Sequence, residues 1–481
     1  MTLLRVLAVA AEIYPIIKTG GLADVAGALP LALKSYGIET RTLVPGYPDV
    51  INALGNVDIL YQWPDFFGGT ARLLGGSHES LDLLVLDAPH LFARPGNPYV
   101  MPNGKDWPDN GVRFAALCRA AAEIGRGAIS FSPDIVHAHD WQAGLAPAYL
   151  HYSNRPRPAT VMTVHNLAFQ GQFPRELLDA FGLPPDSYNI HGVEYYGAIG
   201  FLKAGLQFAD RITTVSPTYA IEVQTDEGGM GLGGLLRERT QDLSGILNGI
   251  DTSVWDPEKD SQLAACFTID QLEARAANKV ALQRRFGLEQ SPGTPLIAAI
   301  SRLSWQKGLD LLLENVSTIL KEGMQLVLLG SGDRDLQDRY LAVSNANPGK
   351  IGVHIGYDEA LAHSIQAGAD ILVVPSRFEP CGLTQLCALR YGAVPIVARV
   401  GGLADSIVDI AQSNEPTGFK FGPVTVDNLA NALRKANVLF QNTSIWRKLQ
   451  RNGLSTDVSW HKRASQYASL YRDVAGNRVA C

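Results

Sequence analysis

Short apolar runs alternate with helical patterns along almost the whole chain. The runs of strand length are RVLAVAAE, LDLLVLDA, DIVHAHD, ATVMTVHN and RITTVSP in the first half, and PLIAAISR, MQLVLLGSG, GVHIGY, DILVVPSR and AVPIVAR in the second. Runs this apolar are typical of strands that are buried on both faces, as in parallel sheets covered by helices. The alternation of strands and helices therefore predicts an α/β protein with doubly wound parallel sheets.

A break in this series indicates where one domain ends. Between residues 225 and 265 the pattern gives way to the glycine-rich DEGGMGLGGLL and the turn-rich NGIDTSVWDPEKDSQ. A chain of 481 residues is also too long for one core, at about 150 residues per domain. We therefore predict two Rossmann-like domains of similar size, residues 1–245 and residues 246–456, with the hinge at this break.

The last residues, 457–481, carry the pattern of an amphipathic helix. Apolar side chains recur every three or four residues, at Trp460, Ala464, Tyr467, Tyr471 and Val474. A helix with three aromatic side chains on one face needs a surface to cover. We predict that it crosses back to pack on the first domain.

Composition and charge exclude several classes of protein. The chain has 41 basic and 47 acidic residues, a formal net charge of −6, and therefore no basic surface for nucleic acid or anionic membranes. The apolar run at residues 6–11 is shorter than a signal peptide needs, and no run approaches the roughly 18 residues of a membrane span. The five cysteines form no Cys-x-x-Cys pair, which is typical of reduced thiols. We expect a cytoplasmic protein.

The pentapeptide GGLAD occurs twice, at residues 20–24 and 401–405. In each copy two glycines allow a tight turn or a close approach to a ligand, and a helix follows whose N-terminus suits an anion. Lys18 beside the first copy favours contact with a ligand, with simple helix packing as the alternative. The second copy has only Arg399 as a basic neighbour, which favours packing.

Polar side chains follow several of the predicted strands, at the ends where open α/β sheets bind ligands. In the first half, Asp140 ends DIVHAHD, and His165 and Asn166 end ATVMTVHN. In the second half, Arg302 and Lys307 follow one strand. Another strand leads to Glu379 and then to CGLT, which opens a helix. A basic pair, a carboxylate and a glycine-led helix start on one edge indicate a site for a phosphorylated ligand.

These motifs together resemble a known family. In order along the chain stand KTGGLADV, HAHDW, TVHN, LNGID..VWDP, SRL..QKG, FEPCGLTQL and TGF.F. The set resembles the bacterial glycogen synthases and plant starch synthases, retaining glucosyltransferases of the GT-B fold, over residues 5–475. The resemblance implies two Rossmann-like domains facing a deep cleft, and transfer of glucose from ADP-glucose to the non-reducing 4-hydroxyl end of an α-1,4-glucan, glycogen.

The resemblance also implies roles for individual residues. The residues expected in catalysis are Asp140, His165, Arg302, Lys307 and Glu379. Those expected to bind the donor are Lys18, Gly20, Gly21, Asn166, Asn248, Tyr357, Cys381, Gly382, Leu383 and Thr384. Within these sets, Arg302 and Lys307 would hold the diphosphate, Glu379 would face the sugar hydroxyls, and Tyr357 would lie near the base.

The chemistry fits these roles. Negative charge develops on the departing diphosphate, and positioned cations lower that barrier. Arg302 and Lys307 already supply this positive charge, so we expect no metal and no other cofactor. No carboxylate matches a double-displacement nucleophile, which favours attack on the same face of the sugar, with the backbone carbonyl of His165 as a stabiliser. Cys387 stands where many retaining GT-B enzymes carry a second glutamate that holds the ribose.

Alternative interpretations remain at this stage. A related GT-B enzyme could use another nucleotide sugar, whereas a non-catalytic glucan-binding protein would be expected to lose Glu379 and the basic pair. The segment GMGLGG satisfies a dinucleotide fingerprint, but a helical pattern precedes it instead of a strand. Asp333-x-Asp335 could hold a metal, but it follows a strand and is predicted to cap a helix. Asp140 and Glu379 could form a glycosidase pair, but a hydrolase has no use for a diphosphate clamp.

Overall fold

The computed structural model describes residues 3–153 and 155–479. The chain divides into an N-terminal unit, Met1–Asn248 with Trp460–Cys481, and a C-terminal unit, Gly249–Ser459. The divisions at 248 and 459 lie slightly beyond the predicted 245 and 456. The backbone N–H of Ile250 donates to the carbonyl of Val458 (2.9 Å), a hydrogen bond within the C-terminal unit.

The N-terminal unit contains a nine-stranded sheet and a small three-stranded sheet. Its strands are β1 Leu4–Val9, β2 Ile38–Pro45, β3 Gly55–Trp63, β4 Ala71–His78, β5 Leu81–Asp87, β6 Ile135–His139, β7 Ala159–Val164, β8 Gln172–Pro174, β9 Glu194–Tyr195, β10 Ala198–Gly200, β11 Arg211–Thr214 and β12 Leu243–Gly245. The large sheet has the order β12-β11-β7-β6-β1-β2-β5-β4-β3, and β8-β10-β9 form the small one. From β12 across the large sheet to β5, each strand pairs in parallel with its neighbour. The pairs β5–β4 and β4–β3 are antiparallel.

Helices connect these strands and cover the large sheet. Their bounds are α1 Gly21–Lys34, α2 Pro48–Ala53, α3 Pro89–Phe92, α4 Asn110–Gly125, α5 Asp140–Ala143, α6 Leu145–His151, α7 Phe201–Phe208, α8 Pro217–Glu222 and α9 Gly233–Glu238. The segment GMGLGG follows α8 instead of a strand, so it lacks the strand–turn–helix setting of a dinucleotide fingerprint.

The C-terminal unit is built on one six-stranded parallel sheet. Its strands are β13 Leu296–Ile300, β14 Gln325–Gly330, β15 Ile351–Ile355, β16 Ile371–Val374, β17 Val394–Ala398 and β18 Phe419–Phe421. Its helices are α10 Arg275–Arg285, α11 Leu309–Glu314, α12 Val316–Lys321, α13 Arg334–Ala346, α14 Glu359–Gly368, α15 Thr384–Tyr391, α16 Gly401–Ser406, α17 Val426–Phe440 and α18 Thr443–Ser455. The strand order β15-β14-β13-β16-β17-β18 is the doubly wound order of dinucleotide-binding folds.

The apolar runs of the sequence coincide with the buried strands. Each of the ten predicted runs overlaps a strand, and the strand interiors are almost wholly buried. The prediction of doubly wound parallel sheets is therefore confirmed. The antiparallel edge strand β3 was not predicted, because eight of its nine residues are exposed and no buried apolar run marks it.

The last helix, α19 Trp460–Val479, packs in the core of the N-terminal unit. All five residues of its predicted apolar face are buried. They join one cluster with Val6 of β1 and with Val25 and Leu29 of α1. Residues 480 and 481 of the predicted C-terminal segment lie outside the described residues. No helix among the described residues combines the length and apolarity needed to span a membrane.

Candidate active site

Each large sheet has one point at which the strand order reverses, and open α/β sheets bind ligands beyond the carboxyl ends of the strands at that point. In the N-terminal sheet the reversal lies between the neighbours β1 and β6, and in the C-terminal sheet between β13 and β16. The polar residues predicted from the sequence follow these strands or their neighbours. Each unit therefore presents its own group of candidate side chains.

In the N-terminal unit, Asp140 holds the backbone that follows β7. Asp140 begins α5 with φ of 56°, a conformation uncommon outside glycine. Its Oδ1 accepts a hydrogen bond from the backbone N–H of His165 (2.7 Å). The pKa of Asp140 is raised to about 7, mainly by burial; the backbone N–H groups of His165 and Asn166 act to lower it, and the charge of Glu12 acts to raise it. The structure thus brings Asp140, His165 and Asn166 together at the ends of the neighbouring strands β6 and β7.

A second contact reaches the ring of His165. Its Nε2 lies 3.0 Å from Nδ1 of His139, the last residue of β6. Burial lowers the pKa of His139 to about 3, and burial also holds the pKa of His165 well below its usual range. Both imidazoles are therefore neutral at pH 7.

Glu12, which sequence reasoning missed, anchors the first GGLAD loop. It lies just beyond β1 and is 3% exposed. Its carboxylate accepts hydrogen bonds from the backbone N–H of Thr19, from Thr19 Oγ1 (2.6 Å), from the backbone N–H of Gly20 (3.3 Å) and from the Tyr99 hydroxyl. The loop that carries Lys18 is therefore tied to the sheet by one carboxylate.

The first glycine pair itself faces open space. No atom lies within 4 Å of the position that a Cβ of Gly20 would take, and Gly21 is exposed. Lys18 Nζ donates to Asp24 Oδ1 (2.8 Å) and lies 5.1 Å from the centre of the Tyr14 ring. The loop thus offers a cation and bare backbone beside an unfilled space, in keeping with the expected contact with a ligand.

The Glu12 anchor predicts a local effect of substitution. Glu12→Gln replaces one acceptor oxygen with an NH₂ group that faces other donors, and a buried group left unsatisfied costs about 1–3 kcal/mol. We expect backbone amides of residues 13–24 to exchange with deuterium roughly tenfold to 100-fold faster, measured by mass spectrometry. The control Thr19→Val removes one hydroxyl and should give a smaller increase. Equal exchange in the wild type and Glu12→Gln would contradict the anchor.

In the C-terminal unit, Lys307 and Glu379 form a close ion pair. Lys307 Nζ lies 2.8 Å from Glu379 Oε1 and 2.6 Å from Oε2. The pair is largely buried, with side-chain exposures of 18% and 7%. Ser376 Oγ donates to Glu379 Oε2 (2.8 Å). These residues follow β13 and β16, the two strands at the reversal point of this sheet.

The segment after Glu379 turns into α15 through a glycine that cannot be replaced without strain. Gly382 has φ of 74°, and a Cβ there would lie 2.4 Å from Gln385 Oε1. The second GGLAD copy packs against the backbone of this segment. The backbone N–H of Gly402 donates to the carbonyl of Glu379 (3.0 Å), and a Cβ on Gly402 would lie 2.3 Å from the carbonyl oxygen of Cys381. The second glycine pair thus has the packing role that the sequence favoured.

Other predicted site residues lie apart from these contacts. Arg302 is exposed and forms no hydrogen bond or ion pair with any residue that the structure describes. Tyr357 is 73% exposed, and its hydroxyl donates to Glu359. Asn248 is 4% exposed, and its Oδ1 has no partner among the described residues. Cys387 is buried in the core of the C-terminal unit.

Sequence reasoning also missed Tyr99, Ser376 and the contact made by His139. Glu12 could have been found, since it directly follows the apolar run of β1 as Asp140 follows β6. Ser376 could have been found in the same way, since it is the first polar residue after the apolar run of β16, whereas Tyr99 carries no comparable signal. Asp333 caps α13 by accepting from the backbone N–H of Leu336 (3.0 Å), which confirms its predicted capping role. Across the part of the chain that the structure describes, no cluster of three His, Cys, Asp or Glu side chains could hold a metal ion.

Comparisons with known proteins place the chain in a family. The sequence family described as "Starch synthase catalytic domain" matches residues 5–238, and "Glycosyl transferases group 1" matches residues 283–438. "Glycogen synthase 2" of Bradyrhizobium diazoefficiens is 69% identical over 482 residues, covering 100% of both chains. The glycogen synthase of Rhodopseudomonas palustris strain BisA53 is 61% identical over 480 residues, covering 99% of this chain and 98% of its own.

A solved structure is similar over the same length. The catalytic domain of Starch Synthase IV from Arabidopsis thaliana, bound to ADP and acarbose, is 32% identical with a TM-score of 0.90, covering 99% of this chain and 100% of its own. The two doubly wound units are those of a GT-B glycosyltransferase. Within that class, the chain belongs to the glycogen synthase and starch synthase family.

Proposed function

We propose that this chain transfers glucose from ADP-glucose, with retention of configuration, to the non-reducing 4-hydroxyl end of an α-1,4-glucan in glycogen synthesis. The observation that carries the proposal is the buried Lys307–Glu379 pair beyond β13 and β16, on the same sheet edge as the exposed Arg302. The related Arabidopsis starch synthase, solved with ADP and acarbose, supports an adenine nucleotide donor.

On the leaving-group side, we propose that Arg302 and Lys307 bind the diphosphate. Negative charge develops on that group as the bond to the sugar breaks, so cations already in position favour the transition state over the ground state. Arg302 has no other partner among the described residues, so its guanidinium is available for bidentate contact with phosphate oxygens. The proposal requires no metal and no cofactor, because these two cations supply the electrostatic stabilisation.

On the sugar side, we propose that Glu379 faces the hydroxyls of the transferred glucose while remaining close to Lys307. Asp140, His165 and Asn166 would contact or position the same ring from the N-terminal unit, with Asn248. The unpartnered, buried Oδ1 of Asn248 supports this role, because a buried acceptor without a partner is costly unless a ligand donates to it.

The proposed bond changes occur on one face of the sugar. The bond between C1 and the β-phosphate oxygen breaks, and its electron pair leaves with ADP. The glucan 4-hydroxyl oxygen forms the new bond to C1, and its proton passes to the departing phosphate oxygen. The oxocarbenium-like centre between these events would be stabilised by Glu379 and by the backbone carbonyl of His165.

The remaining donor contacts are proposed from the matching motifs. Lys18 and the backbone of Gly20 and Gly21 would contact the donor from the N-terminal unit, where the space beside Gly20 supports the assignment. In the C-terminal unit, backbone groups would face the sugar and the phosphates, and an aromatic ring would lie near the adenine; these residues are Cys381, Gly382, Leu383, Thr384 and Tyr357. The cytoplasmic location is part of the same proposal, supported by the free thiols of Cys118 and Cys266.

Donor choice tests the function directly. We expect ADP-glucose to be used with a higher kcat/KM than UDP-glucose, measured with a panel of nucleotide sugars on a glucan primer. Proton NMR of the first product should show an α-linkage, which establishes retention. Reactions without primer serve as the control for hydrolysis of the donor.

Each alternative has its own outcome in this experiment. Equal or reversed kcat/KM values for the two donors would overturn the ADP assignment and leave the fold unaffected. Preference for a different sugar would favour a related GT-B enzyme. Absence of turnover with every donor, alongside binding of the glucan, would favour a non-catalytic glucan-binding protein.

A further inference from the structure

His139, the last residue of the neighbouring strand β6, contacts the ring of His165. Its Nδ1 lies 3.0 Å from His165 Nε2, the ring centres are 5.3 Å apart, and His139 is only 2% exposed. The backbone N–H of His165 is held separately by Asp140. His165 is thus fixed at two points, its main chain by Asp140 and its ring by His139.

The ring of His139 packs against the ring of His137. The His137 ring centre lies 4.0 Å from that of His139. Both nitrogens of His137 are engaged, Nδ1 with the Tyr471 hydroxyl of α19 (2.7 Å) and Nε2 with Thr163 Oγ1 (2.6 Å). Because His137 is anchored in this way, it limits the rotation of the ring that packs on it. The contact between His139 and His165 therefore rests on a rigid base.

Two neutral imidazoles joined by one hydrogen bond constrain each other. Burial lowers the pKa of both rings, so neither carries two protons at pH 7. In such a pair one nitrogen must donate and the other must accept, so the tautomer of one ring determines the tautomer of the other. The nitrogen that His165 leaves for other partners is Nδ1, and its protonation state follows from the choice made at Nε2.

We propose that His139 is a positioning residue that fixes the ring orientation and the tautomer of His165. The proposal rests on the proposed function, in which His165 lies beside the transferred sugar. It assigns to His139 a task beyond core packing: it determines whether His165 Nδ1 presents a proton or a lone pair to a sugar hydroxyl. A misplaced His165 ring, or His165 in the wrong tautomer, would raise the barrier to glucose transfer. The contacts with the diphosphate would change little.

The kinetic test uses two substitutions that differ in one property. His139→Phe keeps a planar ring but removes the hydrogen bond, whereas His139→Asn keeps a polar atom at the place of Nδ1. Partners that orient the histidine ligands of metal sites contribute about 10–100-fold to activity, and we use the same range for a histidine oriented beside a sugar. We expect His139→Phe to lower kcat by that factor with a nearly unchanged KM for the donor, and His139→Asn to recover most of the loss.

A double-mutant cycle separates positioning from packing. If His139 acts through His165, the double variant His139→Phe/His165→Ala should have the same kcat as His165→Ala alone, within about twofold. Tyr471→Phe removes one of the two hydrogen bonds that anchor His137 and leaves the contact between His139 and His165 in place. Because Thr163 still holds His137, we expect a smaller loss of kcat than in His139→Phe. Additive losses in the double-mutant cycle would overturn the proposal.

A spectroscopic readout keeps the proposal testable if the variants are less stable. The chain has ten histidines, so selective ¹⁵N labelling and long-range ¹H–¹⁵N correlation can resolve their tautomers. The His165 signals, assigned by their absence in His165→Ala, should report one neutral tautomer in the wild type and in His139→Asn. A mixture or the opposite tautomer is expected in His139→Phe. An unchanged single tautomer in His139→Phe would overturn the proposal.

Failure of this inference differs from failure of the proposed function. If His165→Ala itself leaves kcat unchanged, the proposed contact of the His165 side chain with the sugar is wrong, and the positioning role of His139 is wrong with it. If His165→Ala lowers kcat but His139→Phe does not, the proposed function stands and the positioning role of His139 is wrong.

Discussion

Replacing Arg302 or Lys307 with alanine is expected to lower kcat/KM for ADP-glucose by about 10²-fold or more. Both cations are proposed to stabilise charge that appears on the diphosphate only as the sugar–phosphate bond breaks. Because they act on one group, their effects should be non-additive, and the double variant should lose less than the product of the two single losses. Steady-state kinetics of the two single variants and the double variant measure all three quantities.

The prediction for Arg302 and Lys307 has a matched control in the C-terminal unit. Lys321 is an exposed lysine at the end of α12, directly before the amino end of β14, and therefore at the edge of the sheet opposite to Arg302. Lys321→Ala removes the same charge and should leave kcat/KM unchanged. Near-native kinetics for Arg302→Ala or Lys307→Ala would show that the residue is ordinary surface charge and that the site is misplaced.

The two alanine variants should also differ in stability. Lys307→Ala leaves the largely buried Glu379 without its cation, which is costly because one charge then remains buried and unpaired. Arg302 is exposed and contacts no charged group that the structure describes. We therefore expect a lower thermal midpoint for Lys307→Ala only. Thermal unfolding of each variant is needed to separate this effect from the loss of catalysis.

Replacing Glu379 with glutamine is expected to lower kcat by about 10²-fold without weakening the binding of ADP. The substitution keeps the size of the side chain and removes a charge proposed to stabilise the positive centre on the sugar. Lys307 keeps its own charge and loses its partner, so its attraction for the diphosphate should be equal or greater. Kinetics give kcat, and isothermal titration calorimetry gives the Kd of ADP.

Ser376→Ala provides the control for this second prediction. It removes the hydroxyl that donates to Glu379 Oε2 and leaves the carboxylate and Lys307 in place. A hydrogen bond to a charged group contributes about 1.5–3 kcal/mol. Ser376→Ala keeps the carboxylate charge itself, so we expect it to lower kcat less than Glu379→Gln does. A large loss of ADP affinity in Glu379→Gln with kcat intact would assign Glu379 to the nucleotide pocket instead.

The ion pair between Lys307 and Glu379 changes how these predictions are read. The sequence suggested separate tasks for the two residues, one for the phosphates and one for the sugar. In the structure each is the nearest charged partner of the other, at 2.6 Å. Variants at the two positions should therefore be interpreted together, and a double variant is needed to apportion their effects.

The two GGLAD copies show why identical sequence does not determine identical roles. The first copy has open space beside Gly20 and is held by the Glu12 carboxylate. In the second copy, Gly402 packs backbone to backbone against Cys381. The letters predict a glycine turn before a helix in both places. What lies opposite each turn depends on segments that are distant in sequence.

The sequence by itself determined the buried strands, the apolar face of α19 and the set of polar residues that follow strands, because each depends on the spacing of residues that are close along the chain. Tertiary structure alone decided which of those residues meet. Lys307 contacts Glu379, and His139 contacts His165, because β13 neighbours β16 and β6 neighbours β7. Hydrophobic periodicity carries no information about strand order, so no spacing rule could have revealed these contacts.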